Sequence, residues 1–109
     1  MATTTRRQTD LVFRAIADPT RRRIIGLLAG CRLSVNEVAR NFRVSRPAIS
    51  KHLRVLRGAK LVSTRKKGTV SICELNAKPL RAVNDWLRDY EAFWDESLRK
   101  LKEFVEDNP

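Results

Sequence analysis

The residues best placed to do chemistry lie in one stretch, Ser45-Arg46-Pro47-Ala48-Ile49-Ser50-Lys51-His52-Leu53-Arg54-Val55-Leu56. Ser45 has the chemistry of a helix N-cap, a hydroxyl that accepts from a free amide of the first turn. Pro47 falls in that turn, where a missing N–H is no loss. Ile49, Leu53 and Leu56 recur at i, i+4 and i+7, one face of a helix. At about 100° per residue, Pro47, Ser50, Lys51 and Arg54 point the opposite way, with Arg46 on the flank. An apolar back and a front of short, polar or cationic groups, with no acid, suit insertion into a DNA major groove. Arg46, Lys51 and Arg54 match guanine edges, Ser50 is permissive, and Pro47 offers an apolar surface to a thymine methyl. His52 sits about 60° from the apolar centre. Two readings stay open for it, a half-buried histidine at the DNA backbone and a base contact. No Ser-His-Asp or Cys-His set, phosphate-cradling glycine loop or metal cluster accompanies this stretch, so no catalytic residue and no cofactor is assigned.

The elements that must hold this helix can be read in order. Residues 1–8 read as a flexible polar tail, and residues 9–107 as a single domain. Thr9 or Asp10 is expected to cap a first helix carrying Leu11, Val12, Ala15 and Ile16. Asp18-Pro19-Thr20 restarts the chain, with Asp18 as N-cap and Pro19 at the first helical position. That second helix runs to Gly30. Its opening Arg21-Arg22-Arg23 opposes the helix dipole, which predicts compensation by phosphate or, preferably, by acids of another helix. Ser34-Val35-Asn36-Glu37 is a capping box opening a short third helix. Phe42-Arg43-Val44 connects it to the stretch above, which completes a helix-turn-helix. Gly58 is expected to end the fourth helix as the C′ residue.

Two β-prone runs, Leu61–Lys66 and Thr69–Leu75, flank Lys67-Gly68 and read as a hairpin. Its tip carries Arg65, Lys66, Lys67 and Thr69, placed to meet DNA backbone or the minor groove. The bland alternative is an edge hairpin whose lysines block aggregation. Residues 79–107 then form one long terminal helix. Its apolar side chains fall within an arc of roughly 140°, with every acid outside it. This is more apolar surface than one docked helix needs. A homodimer is expected through Leu87, Trp94, Leu98, Leu101 and Val105, joined by Leu11 and Ile16 of the first helix. Which edge of the terminal helix faces its own core and which faces the copy is left open. The predicted fold is therefore mainly α with a β-hairpin wing, in the order α1-α2-α3-α4-β-β-α5.

Charge is segregated along the chain. Residues 1–79 hold eighteen Lys/Arg against four Asp/Glu, and residues 80–109 hold five against eight, within an overall +11. A cationic body with an acidic terminal arm is the pattern of a polyanion-binding protein, and double-stranded DNA is the partner it implies. No apolar run approaches the ~20 residues of a membrane span. Residues 1–8 are followed by no apolar secretory core. The cytoplasm is the expected location, and no membrane partner is expected. Two cysteines, Cys31 and Cys73, make no disulfide framework.

Over roughly Leu11 to Val105 the chain resembles the ArsR/SmtB-type winged-helix repressors. The resemblance rests on Asp18-Pro19-Thr20-Arg21-Arg22, on Ser45 to Leu56, and on Gly58-Ala59-Lys60-Leu61-Val62. It implies a homodimeric transcriptional repressor that binds an imperfect palindrome near a promoter. Many members of that family sense metals, and this sequence departs from them. Val38–Phe42, where the thiolate site would lie, holds no cysteine, and the terminal segment holds no histidine. The branch without a metal site, SdpR-like, is the better match, and the sequence names no small-molecule effector. Two alternatives remain: a protein-interaction module on the same scaffold, and a repressor responding to thiol oxidation at Cys31 or Cys73, which needs a depressed thiol pKa.

Overall fold

The computed structural model describes residues 5–107. Its elements run α1 (Arg6–Ile16), α2 (Pro19–Gly30), β1 (Leu33–Ser34), α3 (Val35–Ala39), α4 (Arg46–Gly58), β2 (Val62–Lys67), β3 (Val70–Leu75), a 3-10 turn (Lys78–Leu80), α5 (Arg81–Arg88) and α6 (Glu91–Asp107). This is the expected helical body with a helix-turn-helix and a winged hairpin. One core serves all of it. Val12 and Ala15 of α1, Ile24 and Leu28 of α2, Val38 of α3 and Ile49, Leu53 and Leu56 of α4 are buried together with Leu61, Val62 and Cys73. Each large side chain so buried is worth about 1.5–3 kcal/mol of apolar transfer. No helix among the described residues is long and apolar enough to cross a membrane.

Helix α1 begins earlier than its apolar pattern suggests. Thr5 Oγ1 accepts from Gln8 N at 3.0 Å, so Arg6, Arg7 and Gln8 are helical, not tail. The extra turn is held by Gln8 Nε2, which donates to the Ala59 carbonyl at 2.7 Å. Residues 1–4 lie outside the described residues.

Among the described residues the arginines opening α2 form no ion pair with acids of another helix, against the preferred expectation, and turn instead to backbone carbonyls. Arg21 donates to the carbonyls of Ala15 at 2.8 Å and Arg14 at 3.0 Å, and Arg22 donates to Ile16 at 2.7 Å. These carbonyls lie in the last turn of α1, where the dipole favours cations. Arg23 stacks over the Phe42 ring at 4.6 Å. Two of the three charges that look misplaced on α2, Arg21 and Arg22, are therefore the C-terminal collar of α1, and the third, Arg23, holds the end of the α3 segment.

Helix α4 ends differently from the glycine reading. Gly58 is its last helical residue. The left-handed position falls on Lys60, with φ 65°. Leu61 N donates to Leu56 O at 3.0 Å, and Lys60 N to Arg57 O at 2.9 Å. That is a Schellman motif, with Leu56 and Leu61 as its apolar pair. The need to bury Leu61 sets where the helix stops.

The sheet has a strand that the hairpin reading lacks. Its order is β1-β3-β2, with Leu33 opposite Cys73 and Ser34 opposite Ile72. Lys67 pairs with Val70, so the hairpin turn is Gly68-Thr69, one residue later than Lys67-Gly68. Gly68 alone takes a positive φ, 67°, as a II′-type turn requires at its first central position. Thr64 faces Cys73, and Arg65 faces Ile72. Cys73 thus belongs to the core face of β3, and Val70 and Ile72 to the outer one.

The single terminal helix expected over 79–107 is broken. Asp89 N reaches Trp86 O at 3.3 Å and Tyr90 N reaches Leu87 O at 2.9 Å, three-residue bonds that tighten the chain between α5 and α6. Trp86 packs edge-on against Phe13 of α1, and Tyr90 packs on Trp86. Aromatic anchoring on α1 fixes α5, and every residue of α6 is exposed.

Candidate nucleic-acid interface

Helix α4 is built as its cap and periodicity dictate. Ser45 Oγ accepts from Ala48 N at 3.2 Å, and Ile49, Leu53 and Leu56 are wholly buried beneath. On the outer side Ser45, Arg46, Pro47, Lys51 and Arg54 are exposed, and Ser50 is half-buried. One continuous polar and cationic face results. Its position is set by α3, where Ser34 Oγ accepts from Glu37 N at 3.1 Å while Glu37 Oε1 accepts from Ser34 N at 2.9 Å. Those bonds hold the Glu37 carboxyl below its ordinary range, the Ser34 N–H first and its hydroxyl second.

Asn36, on the same short helix, accepts from Arg46 Nε. The two terminal nitrogens of Arg46 are left as a fork, the geometry that pairs with guanine N7 and O6. Sequence reasoning missed Asn36, because only the turn between α3 and α4 brings it to Arg46.

His52 turns inward. Its Nδ1 lies 3.3 Å from Arg21 Nη1 and 3.8 Å from Asp18 Oδ2, and the side chain is 23% exposed. The Asp18 carboxyl is held below its ordinary range, chiefly by the Arg21 N–H it accepts and also by the charges of Arg21 and His52. His52 is thus tied to α2, as Arg46 is tied to α3 through Asn36.

The wing carries Arg65, Lys66, Lys67 and Thr69, all exposed. On its outer side is an open hollow of about 530 Å³ lined by Arg32, Ser63, Arg65, Lys66, Lys67, Ile72 and Glu74. Arg32 was not picked out from the sequence. It reaches the wing because β1 pairs with β3, and a two-residue strand leaves no alternation to read.

The residues expected to pair copies fall into two groups. Leu11, Ile16 and Leu87 are half-buried on α1 and α5. Trp94, Leu98, Leu101 and Val105 of α6 are 55–63% exposed. Among the described residues no three His, Cys, Asp or Glu side chains cluster as metal ligands. Cys31 is exposed and Cys73 is buried, and burial pushes the Cys73 thiol up, with Arg57 opposing weakly.

Comparison with known proteins agrees with this geometry. A family profile described as bacterial regulatory protein, arsR family, matches residues 18–64. The HTH-type transcriptional regulator Rv2034 of Mycobacterium tuberculosis is 39% identical over 102 residues, covering 94% of this chain and 92% of its own. The transcriptional repressor SdpR of Bacillus subtilis is 38% identical over 79 residues, 72% of this chain and 88% of its own. The crystal structure of the ArsR family transcriptional regulator RHA00566 superposes with a TM-score of 0.75 at 34% identity, covering 87% of this chain and 97% of that one. The chain belongs to the arsR family of bacterial regulatory proteins and is a DNA-binding transcriptional regulator.

Proposed function

We propose that the protein is a homodimeric repressor that binds an imperfect palindromic operator in the cytoplasm and does not respond to metal. The reading rests above all on the outward face of α4, where Arg46, Lys51 and Arg54 stand exposed over a fully buried apolar back. Base readout is assigned to Arg46, Ser50, Lys51 and Arg54, with Pro47 against a thymine methyl and Ser45 at the helix entrance. Arg65, Lys66, Lys67 and Thr69 of the wing grip backbone, which fixes register without reading sequence.

Dimerisation is supported by the exposed apolar residues of α6, whose burial needs a second chain, with Leu11, Ile16 and Leu87 alongside. Two reading helices related by a two-fold axis address half-sites about one helical turn apart. SdpR, by name a transcriptional repressor, supports repression over activation. The single histidine is engaged by Arg21, which argues against metal sensing, and Cys73 is withdrawn from solvent, which argues against thiol oxidation at that position. Sedimentation equilibrium at micromolar concentration is expected to give twice the chain mass. Trp94→Glu with Leu98→Glu is expected to give monomers with weakened DNA binding. A monomer mass for the unaltered chain contradicts the proposal.

A further inference from the structure

Asp18, Arg21 and His52 form a cluster that joins α1, α2 and α4 at the edge of the reading face. We infer that Arg21 fixes His52 as its Nε2–H tautomer and that this N–H donates to a phosphate oxygen of bound DNA, with Arg21 and Asp18 as positioning residues. The phosphate contact rests on the DNA-binding reading above, whereas the tautomer does not.

A guanidinium has donors only. Two arms of Arg21 are spent on Ala15 O and Arg14 O, and the third, Nη1, meets His52 Nδ1 at 3.3 Å. Nδ1 must therefore present its lone pair, which places the proton of a neutral imidazole on Nε2. The competing acceptor is Asp18. Its Oδ2 lies 3.8 Å from Nδ1, too far for a hydrogen bond, and is held in place by the bond it accepts from Arg21 N at 3.0 Å. Nε2 lies on the side of the ring away from Arg21, and the side chain reaches solvent. His52 flanks the cationic face, and the flank of a helix lying in a groove meets the sugar-phosphate wall. Arg21 thus ties the C-terminus of α1 to a backbone clamp on the reading helix.

The chain has one histidine, so a long-range proton–nitrogen spectrum of the labelled protein reports His52 alone. Above the ordinary histidine range, at about pH 8, it is expected to show a protonated Nε2 and a lone-pair Nδ1. Arg21→Lys is expected to blur this into mixed tautomers. An Nδ1–H form or a mixture in the unaltered chain, or an unchanged tautomer in Arg21→Lys, overturns the inference. Should Arg21→Lys fail to fold, the unaltered spectrum and the His52 variants still decide it.

Phosphates are common to all sequences, so a mixed-sequence duplex serves as the binding probe. His52→Asn, too short to place a donor at the Nε2 position, is expected to weaken binding about three- to tenfold at every salt concentration. The salt slope is expected to stay unchanged, because a neutral donor releases no counterion. His52→Gln puts its amide nitrogen near Nε2 and is expected to restore most of the loss. Equal binding by His52→Asn, or no rescue by His52→Gln, overturns the phosphate contact. If the unaltered chain binds no duplex even at low salt, the DNA-binding reading fails too, and the spectrum still decides the tautomer.

Discussion

Replacing Lys60 by glycine is expected to stabilise the protein, although it removes a side chain and adds backbone entropy to the unfolded state. Lys60 has φ 65°, where an L side chain crowds its own backbone, at a cost of about 1–2 kcal/mol that glycine avoids. The entropy given up to the more flexible unfolded chain is about 0.5–1 kcal/mol. The Lys60 side chain is exposed, and both Schellman bonds use backbone atoms that glycine keeps. The expected net gain is therefore about 0.5–1 kcal/mol, a rise in melting temperature of about 2–6 °C for a domain of this size. Gly58→Ala supplies the control. Gly58 is helical, a Cβ there meets nothing within 4 Å, and alanine is worth about 1 kcal/mol more in a helix. Both changes are thus expected to stabilise, and urea midpoints with thermal scans read them directly. If Gly58 were the left-handed cap, Gly58→Ala would destabilise and Lys60→Gly would gain nothing. That pattern refutes the assignment of the helix end.

Arg46→Ala or Lys51→Ala is expected to cost ~1–3 kcal/mol on the operator and to relax selectivity, whereas Lys66→Ala should weaken all sequences alike and lower the salt slope by about one; binding isotherms over a salt series separate the two. The Glu37 carboxyl is held low by Ser34, so it adds stability above the ordinary carboxylate range that disappears as pH falls through its folded value. Glu37→Gln keeps the capping geometry without the charge, so its urea midpoint should trail at about pH 7 and the gap should narrow as pH falls below the ordinary carboxylate range; a constant gap contradicts this. A maleimide is expected to label exposed Cys31 quickly and buried Cys73 only on unfolding, leaving DNA affinity unchanged.

The parts legible in the sequence are those whose signals are local. Ser45, Pro47 and the Ile49–Leu53–Leu56 spacing specify α4 within a dozen residues, and Ser34 with Glu37 specifies the start of α3. Gly68 marks the hairpin, although its place as first and not second turn residue depends on the pairing of Lys67 with Val70. The parts that escaped depend on partners distant in sequence. The first turn of α1 is held by Ala59, fifty-one residues away, so apolar spacing alone starts the helix late. Arg21 and Arg22 of α2 answer carbonyls of α1, which no spacing of acids reveals. Asp89 and Tyr90 break the terminal helix with neither proline nor glycine present, because Trp86 is anchored on Phe13. At the candidate interface, the outward exposure of Arg46, Lys51 and Arg54 was legible from helical spacing. Asn36, Arg32 and the Arg21–His52 contact arise only when α2, α3 and β1 pack beside α4 and the wing.

Protection of guanine N7 from methylation by dimethyl sulfate, on the DNA upstream of the protein's own gene, tests most directly whether a pair of α4 helices reads one duplex. Two protected clusters are expected in the major groove, about 10 bp apart centre to centre, with both lost in Arg46→Ala. Absence of protected guanines at a concentration that shifts the fragment, or protection that survives the loss of both Arg46 and Lys51, would contradict the account.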